Sequence, residues 1–472
     1  MQMRKKQLGA ENRYTLYSMA NLARIYNMQG RWNEAEQLEV QVVDTRKRLL
    51  GADHADTINS MANIASTYRL QGRWNEAEQI QIQVMDMTKK LLGAEHPDTI
   101  NSMADIARTY SDQGRWKEAE KLQIQVIDMQ KKLLGAEHPD TILSIANIAS
   151  TYRFQGRWNE AEQLQIQVID MQKKLLGAEH PDTILSIANI ASTYWNQGRW
   201  SEAEQLQIQV LDMTKKRLGA EHPDTITSMA NMAGIYRLQG RWNEAEQLQI
   251  QVLDLTKKWF GAEHPDTISS IANIARTYSD QGRQNEAEQL QIQVLDMTKK
   301  LLGPEHPDTL ASMSNLASTY RFQGRWNEAE KLQIHVIDMR KKLLGPEHPD
   351  TILSIANIAS TYSDQGRWNE AEQLEVQVMD MTRKLLGAEH PDTLTSMTNL
   401  ARTYSDQGRQ NEAEQLQIQV MDMTKKLLGA EHPDTITSMA NLARTYNYQG
   451  RNYEAEKLEL EVMNIKRRKG RI

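Results

Sequence analysis

Residues 135–176 read GAEHPDTILSIANIASTYRFQGRWNEAEQLQIQVIDMQKKLL, and the residues that follow open again with GAEHPDTILSIANIASTYWNQGRW. A Gln-Gly-Arg triplet places its glycine at Gly30, Gly72, Gly114, Gly156, Gly198, Gly240, Gly282, Gly324, Gly366, Gly408 and Gly450, eleven copies at a spacing of 42. A fixed period in this range marks stacked supersecondary units, each burying its apolar face on its neighbours. The period overrides the several-domain organisation that 472 residues would otherwise suggest.

Each unit predicts two helices. In the 135–176 copy, Pro139 suits the first helical position and Asp140 the first turn, where negative charge meets the helix dipole. Helix A runs to about Tyr152, with Ile142, Ile145, Ile148, Ala149 and Tyr152 at helical spacing. Gly156 is suited to the left-handed turn that ends it. Helix B spans about Trp158 to Leu176, with an apolar stripe of Trp158, Ala161, Leu164, Val168, Ile169, Leu175 and Leu176 that Gln172 interrupts. Its acids Glu160 and Glu162 lie early and Lys173-Lys174 late, matching the dipole. The short turn favours antiparallel packing of A on B.

The expected architecture is all-α: a right-handed superhelical solenoid of about 22 helices in antiparallel pairs. The whole chain, 1–472, is expected to form one array. Its repeats fall at 9–50, 51–92, 93–134, 135–176, 177–218, 219–260, 261–302, 303–344, 345–386, 387–428 and 429–469. Residues 1–8 align as the last turns of a preceding helix B, and 470–472 form a tail.

A net charge of -6 argues against a dedicated nucleic-acid binder, which presents a basic face. With no cysteine, disulfides, thiolate metal sites and cysteine catalysis are excluded. No apolar run reaches the ~20 residues needed to span a bilayer, and MQMRKKQLGAEN lacks the apolar stretch of a signal peptide. The expected setting is soluble and cytoplasmic, with no membrane or nucleic-acid partner.

Asn-Ile-Ala-Ser-Thr-Tyr at 147–152, Gly156, and Ala161 within Asn-Glu-Ala-Glu resemble the tetratricopeptide repeat signature. The 42-residue period with His-Pro-Asp-Thr and Gln-Gly-Arg-Trp-x-Glu-Ala-Glu is similar to the kinesin-light-chain-like branch, and to repeat arrays of fungal and bacterial nucleotide-binding immune-type receptors. The chain departs from the family on helix B, where Gln165, Gln207, Gln249 and their equivalents, or Glu39, Glu375 and Glu459, replace an aromatic residue. It also carries no phosphate-binding loop and no long heptad region.

At 100° per residue, Leu143, Asn147, Ser150 and Phe154 fall within roughly 60° of one another, opposite the apolar stripe of helix A. In the resembling family this face lines a concave groove that holds extended peptides. Variation between the copies concentrates there: Phe154 is matched by Asn196, Leu238, Asp280, Phe322, Asp364 and Asp406, and Ser150 by Gly234, Arg276 and Arg402. Asparagine, by contrast, recurs at Asn21, Asn63, Asn147, Asn189, Asn231, Asn273, Asn315, Asn357, Asn399 and Asn441, with Asp105 the exception. An amide is both donor and acceptor, so such a row suits the backbone of an extended ligand, as the resemblance implies. Bridging to the adjacent repeat is the alternative.

The groove candidates are therefore Asn63, Asn147, Asn189, Asn231, Asn273, Asn315 and Asn357, with Leu143, Arg153, Phe154, Trp195, Arg237, Leu238, Arg276, Asp280 and Phe322 setting specificity. The helix B glutamines are expected to be half-exposed over buried stems, with a hydrogen-bonded ladder from repeat to repeat as the alternative. His96, His138 and His180 read as helix starts, and Trp32, Trp74 and Trp116 as packing residues. No catalytic, cofactor or metal constellation stands apart from the repeat. The expected role is a non-enzymatic scaffold for a protein or peptide ligand. Two alternatives remain open: a sensor or cargo module detached from a nucleotide-binding receptor or motor adaptor, and a rod that self-associates end to end.

Overall fold

The computed structural model describes residues 9–468, so the expectations for 1–8 and for the tail lie outside the described residues. Among the described residues there are 22 α-helices and no strand. They alternate between A helices such as Pro139–Phe154 and B helices such as Trp158–Leu176; this pair packs together, as do the helices from Arg13–Met28 through Trp158–Leu176 in turn. Helix A thus ends two residues later than its apolar spacing suggests, at Phe154 rather than Tyr152.

The local signals act as their chemistry requires. The backbone N–H of Asp140 donates to His138 Nδ1 at 3.2 Å, so His138 caps the helix that Pro139 opens. At the other end, Gly156 has φ +72. Arg157 N–H then reaches Tyr152 O at 2.9 Å and Gly156 N–H reaches Arg153 O at 3.2 Å, which satisfies two otherwise orphaned carbonyls. The first helix, Arg13–Met28, uses Asn12 in place of histidine: Tyr14 N–H donates to Asn12 Oδ1 at 3.0 Å.

Each core layer draws on three helices. Ile142, Ile145 and Ile148 of one A helix close over Val168 of its own B helix and Ile127 of the preceding one. Ala149 and Ala161 are fully buried, so the A and B backbones approach closely. The B-helix stripe is shorter than expected, because Leu175 and Leu176 are exposed. Helix B has 19 residues against 16 in helix A, so its last turn runs past the surface that would cover it.

The packing divides into two compact units, one of Met1–Ala191 with Glu204–Ser312, the other of Ser192–Ala203 with Met313–Ile472. The same layer recurs in the second unit, where Ile352, Ile355 and Ile358 meet Val378 and Ile337.

Candidate functional site

The Gln-Gly-Arg turn does more than reverse the chain. Gln155 Nε2 and Arg157 Nη1 both donate to Glu120 of the preceding B helix, at 2.9 and 2.8 Å. Arg157 Nε also donates to Glu160 of its own repeat at 2.6 Å, and the guanidinium lies 3.8 Å from the centre of the Tyr152 ring. These bonds hold Glu160 below the usual carboxylate range. The pattern recurs with Arg73 on Glu36, Arg241 on Glu204, Arg367 on Glu330 and Arg451 on Glu414. The two glutamates of Asn-Glu-Ala-Glu therefore serve different repeats, and this clamp keeps successive A helices in register.

A second seam corrects the expectation for the B-helix glutamines. Gln165 is only 4% exposed, and Gln81, Gln207, Gln249 and Gln333 are equally buried. They face the next A helix: Thr109 Oγ1 donates to Gln81 Oε1 at 2.8 Å, Thr277 to Gln249 at 2.9 Å and Thr361 to Gln333 at 2.9 Å. Where Ile235 takes the threonine position, Gln207 Nε2 donates instead to Ser228 O at 3.2 Å. Glu39 and Glu375 occupy the same buried place, and burial pushes each carboxyl up to about 7.

These seams leave one face of each A helix open. Leu143 and Phe322 are 57% and 61% exposed, and Leu238 and Phe154 are exposed as well. Asn63, Asn231, Asn273 and Asn315 are exposed, while Asn147, Asn189 and Asn357 are half-buried. Among the described residues, the side-chain amides of Asn63, Asn147, Asn231, Asn273, Asn315 and Asn357 are held by no hydrogen bond within the chain. A recess of about 190 Å³ in the first unit brings Asn147 and Ser150 together with Arg108, Asp112, Gln123 and Val126.

Several variable candidates have partners of their own. Arg237 Nη1 donates to Asp280 of the next A helix at 2.5 Å, and Arg69 meets Asp112 in the same way at 2.7 Å. Arg321 and Asp364 form the equivalent pair at 3.3 Å in the second unit. Burial holds Arg276 below its usual value, and the like charge of Arg237 adds to this. Phe154 stacks on Trp116 with centroids 6.0 Å apart, and the Arg153 guanidinium lies 4.6 Å from its ring centre. Trp195 stacks on Trp200 at 5.3 Å. Part of the variation on this face therefore matches neighbouring repeats to one another. The signal was in the sequence: the Arg units at 69, 237 and 321 are each followed by a Ser-Asp unit.

Among the described residues, no group of three or more histidines and carboxylates is placed to hold a metal ion. No helix there is long and apolar enough to cross a membrane.

Paired antiparallel helices at a constant stride, clamped repeat to repeat, define an α-helical repeat array with one polar helix face left open. The tetratricopeptide repeat model matches in overlapping windows from residues 14–90 and 56–132 through 352–426 and 411–468, and the chain belongs to the tetratricopeptide repeat family. Among solved structures it is similar to the Podosopora anserina putative kinesin light chain nearly identical TPR-like repeats, at 35% identity over 44% of this chain and 98% of that one, with a TM-score of 0.36. BtubC (BKLC) from P. vanneervenii is 18% identical over 49% of this chain and 92% of its own, with a TM-score of 0.40. A Rap protein complexed with competence and sporulation factor is 12% identical over 78% of this chain and 98% of its own, with a TM-score of 0.47. No curated protein matches the chain.

Proposed function

We propose that the open A-helix face binds an extended stretch of polypeptide from a protein partner, and that the chain acts as a non-enzymatic scaffold. The observation that carries this reading is the row of amides at Asn63, Asn147, Asn231, Asn273, Asn315 and Asn357, which no hydrogen bond among the described residues holds. Polar groups at a packed seam tend to be paired, as Gln81, Gln249 and Gln333 are with Thr109, Thr277 and Thr361. A row of exposed and half-buried amides at a constant stride offers donors and acceptors to a backbone, whatever its sequence. Leu143, Leu238, Phe154 and Phe322 would supply apolar anchors, which commonly dominate such interfaces. A cytoplasmic setting fits a chain with no cysteine.

A random peptide library displayed on phage tests this. The bait is compared with a variant carrying Asn147→Ala, Asn231→Ala and Asn273→Ala, with circular dichroism confirming the fold. Peptides enriched by the parent and lost by the variant are the expected result. Equal enrichment by both would move the site off this face.

A further inference from the structure

The turn that ends each A helix has a second partner, far away in sequence. A Cβ placed on Gly30 would lie 2.6 Å from Pro265 Cγ, so the approach there leaves no room for any other residue. Gly72 meets Pro307 in the same way. Beside them the Trp32 ring stacks on His306 with centroids 5.4 Å apart and planes 21° apart. His306 Nε2 lies 3.5 Å from Leu70 O, a separation of 236 residues. The second unit repeats the arrangement: His432 Nε2 lies 3.3 Å from Asn196 O at the same separation, and a Cβ on Gly198 would lie 2.7 Å from Pro433 Cδ. A Gly-Arg-Trp turn of one repeat is thus a socket for the His-Pro helix start of a much later one.

Because the sequence repeats, most units carry both halves of this contact, yet many halves have no mate. His138 is 38% exposed where His306 is 6%, and His96, His180 and His222 resemble His138. Conversely, nothing lies within 4 Å of a Cβ built on Gly240, Gly324 or Gly366. The neighbouring Trp242, Trp326 and Trp368 are exposed, Trp326 at 39%. The indole surface is not needed to close the turn. Gln284 Nε2 donates to Ser279 O at 3.0 Å just as Trp116 Nε1 donates to Ser111 O at 3.2 Å. What tryptophan adds over glutamine is a flat apolar surface, the part of Trp32 that His306 covers.

We propose that the chain self-associates through these two edges, the exposed His-Pro starts of one copy seating on the exposed Gly-Arg-Trp turns of another. The occupant is a second copy because the chain already makes this contact with itself, twice, at the same 236-residue separation. The two edges differ, so the contact is heterologous and each added copy leaves one of each free. It is independent of the open A-helix face and makes no use of the asparagine row.

Sedimentation velocity of the full chain over a range of concentrations tests this with two variants built from the protein's own substitutions. Trp242→Gln, Trp326→Gln and Trp368→Gln together remove the socket surface while keeping the turn bond. His96→Asn, His138→Asn and His180→Asn together remove the plug while keeping a cap of the kind Asn12 provides. The parent is expected to grow in mass with concentration, and each variant to associate about tenfold more weakly or not at all, as when anchor residues are removed from an interface. An equimolar mixture of the two variants is expected to form heterodimers and nothing larger, since each supplies the edge the other lacks. A parent that stays monomeric, variants that assemble as it does, or a mixture that fails to pair would each overturn the proposal.

Discussion

Arg237 and Asp280 sit at neighbouring positions of the A-helix end in two successive repeats, and their side chains meet at 2.5 Å. The pair gives the variable face an internal role. A repeat that ends in Arg-Leu is followed by one that ends in Ser-Asp, and the charges cancel across the boundary. In a double-mutant cycle with Arg237→Ala and Asp280→Ala, the coupling should be about 1 kcal/mol or less and should shrink as salt is added. Urea denaturation at low and high ionic strength measures it. A coupling that ignores salt would mean that the two side chains matter by packing.

Glu375 makes the array sensitive to pH. Burial raises its carboxyl from 4.5 to about 7, so the folded state holds a proton that the unfolded state releases. Stability from this group is complete below about pH 4.5 and is lost as pH rises through about 7. Glu375→Gln should therefore stabilise the protein by about 1 to 3 kcal/mol near pH 8 and by almost nothing near pH 4. Glu39, raised to about 7 by the same cause, should behave alike, and chemical denaturation across this range checks both.

Glu120 holds two donors from the next repeat. Glu120→Ala would remove the carboxylate that both donors share, leaving Gln155 Nε2 only Trp116 O and Arg157 Nη1 only Gln155 Oε1, and should cost about 1 kcal/mol. Amide exchange should quicken at the Gln155–Trp158 turn before it does elsewhere.

The two faces of helix A should respond oppositely to truncation. Ile148→Ala opens a cavity in a layer built from three helices and should cost about 2 to 5 kcal/mol. Leu143→Ala, on the exposed face, should change stability by no more than about 0.5 kcal/mol. Thermal melts of the two variants decide the matter.

Much of this architecture was legible in the chain. The His-Pro caps, the glycine-ended A helices and the Ile142-Ile145-Ile148 stripe follow from local chemistry and helical spacing, and that chemistry recurs in each copy. The buried glutamines were not legible in the same way, because an amphipathic pattern counts Gln165 as polar and cannot see that Thr109, Thr277 and Thr361 supply hydroxyls across the seam. The Arg-Asp pairs needed a fact no single repeat holds: the end of one A helix faces the end of the next. The contact of Trp32 with His306 was hidden most completely. In sequence Trp32 and Trp326 look alike, and only position along the array decides which one is covered.

The unbroken stride and the Gln-Gly-Arg clamp bear on how such a gene can change. Since Glu120 serves Arg157 as Glu36 serves Arg73, deleting or duplicating a whole unit by unequal crossing-over joins a donor to an acceptor of the same kind. The reading frame of contacts survives even when the number of units does not. The exception is a breakpoint that separates an arginine unit, such as Arg237-Leu238 or Arg321-Phe322, from the Ser-Asp unit after it. Selection on length would therefore act almost freely, and the order of the units would carry the inheritable information.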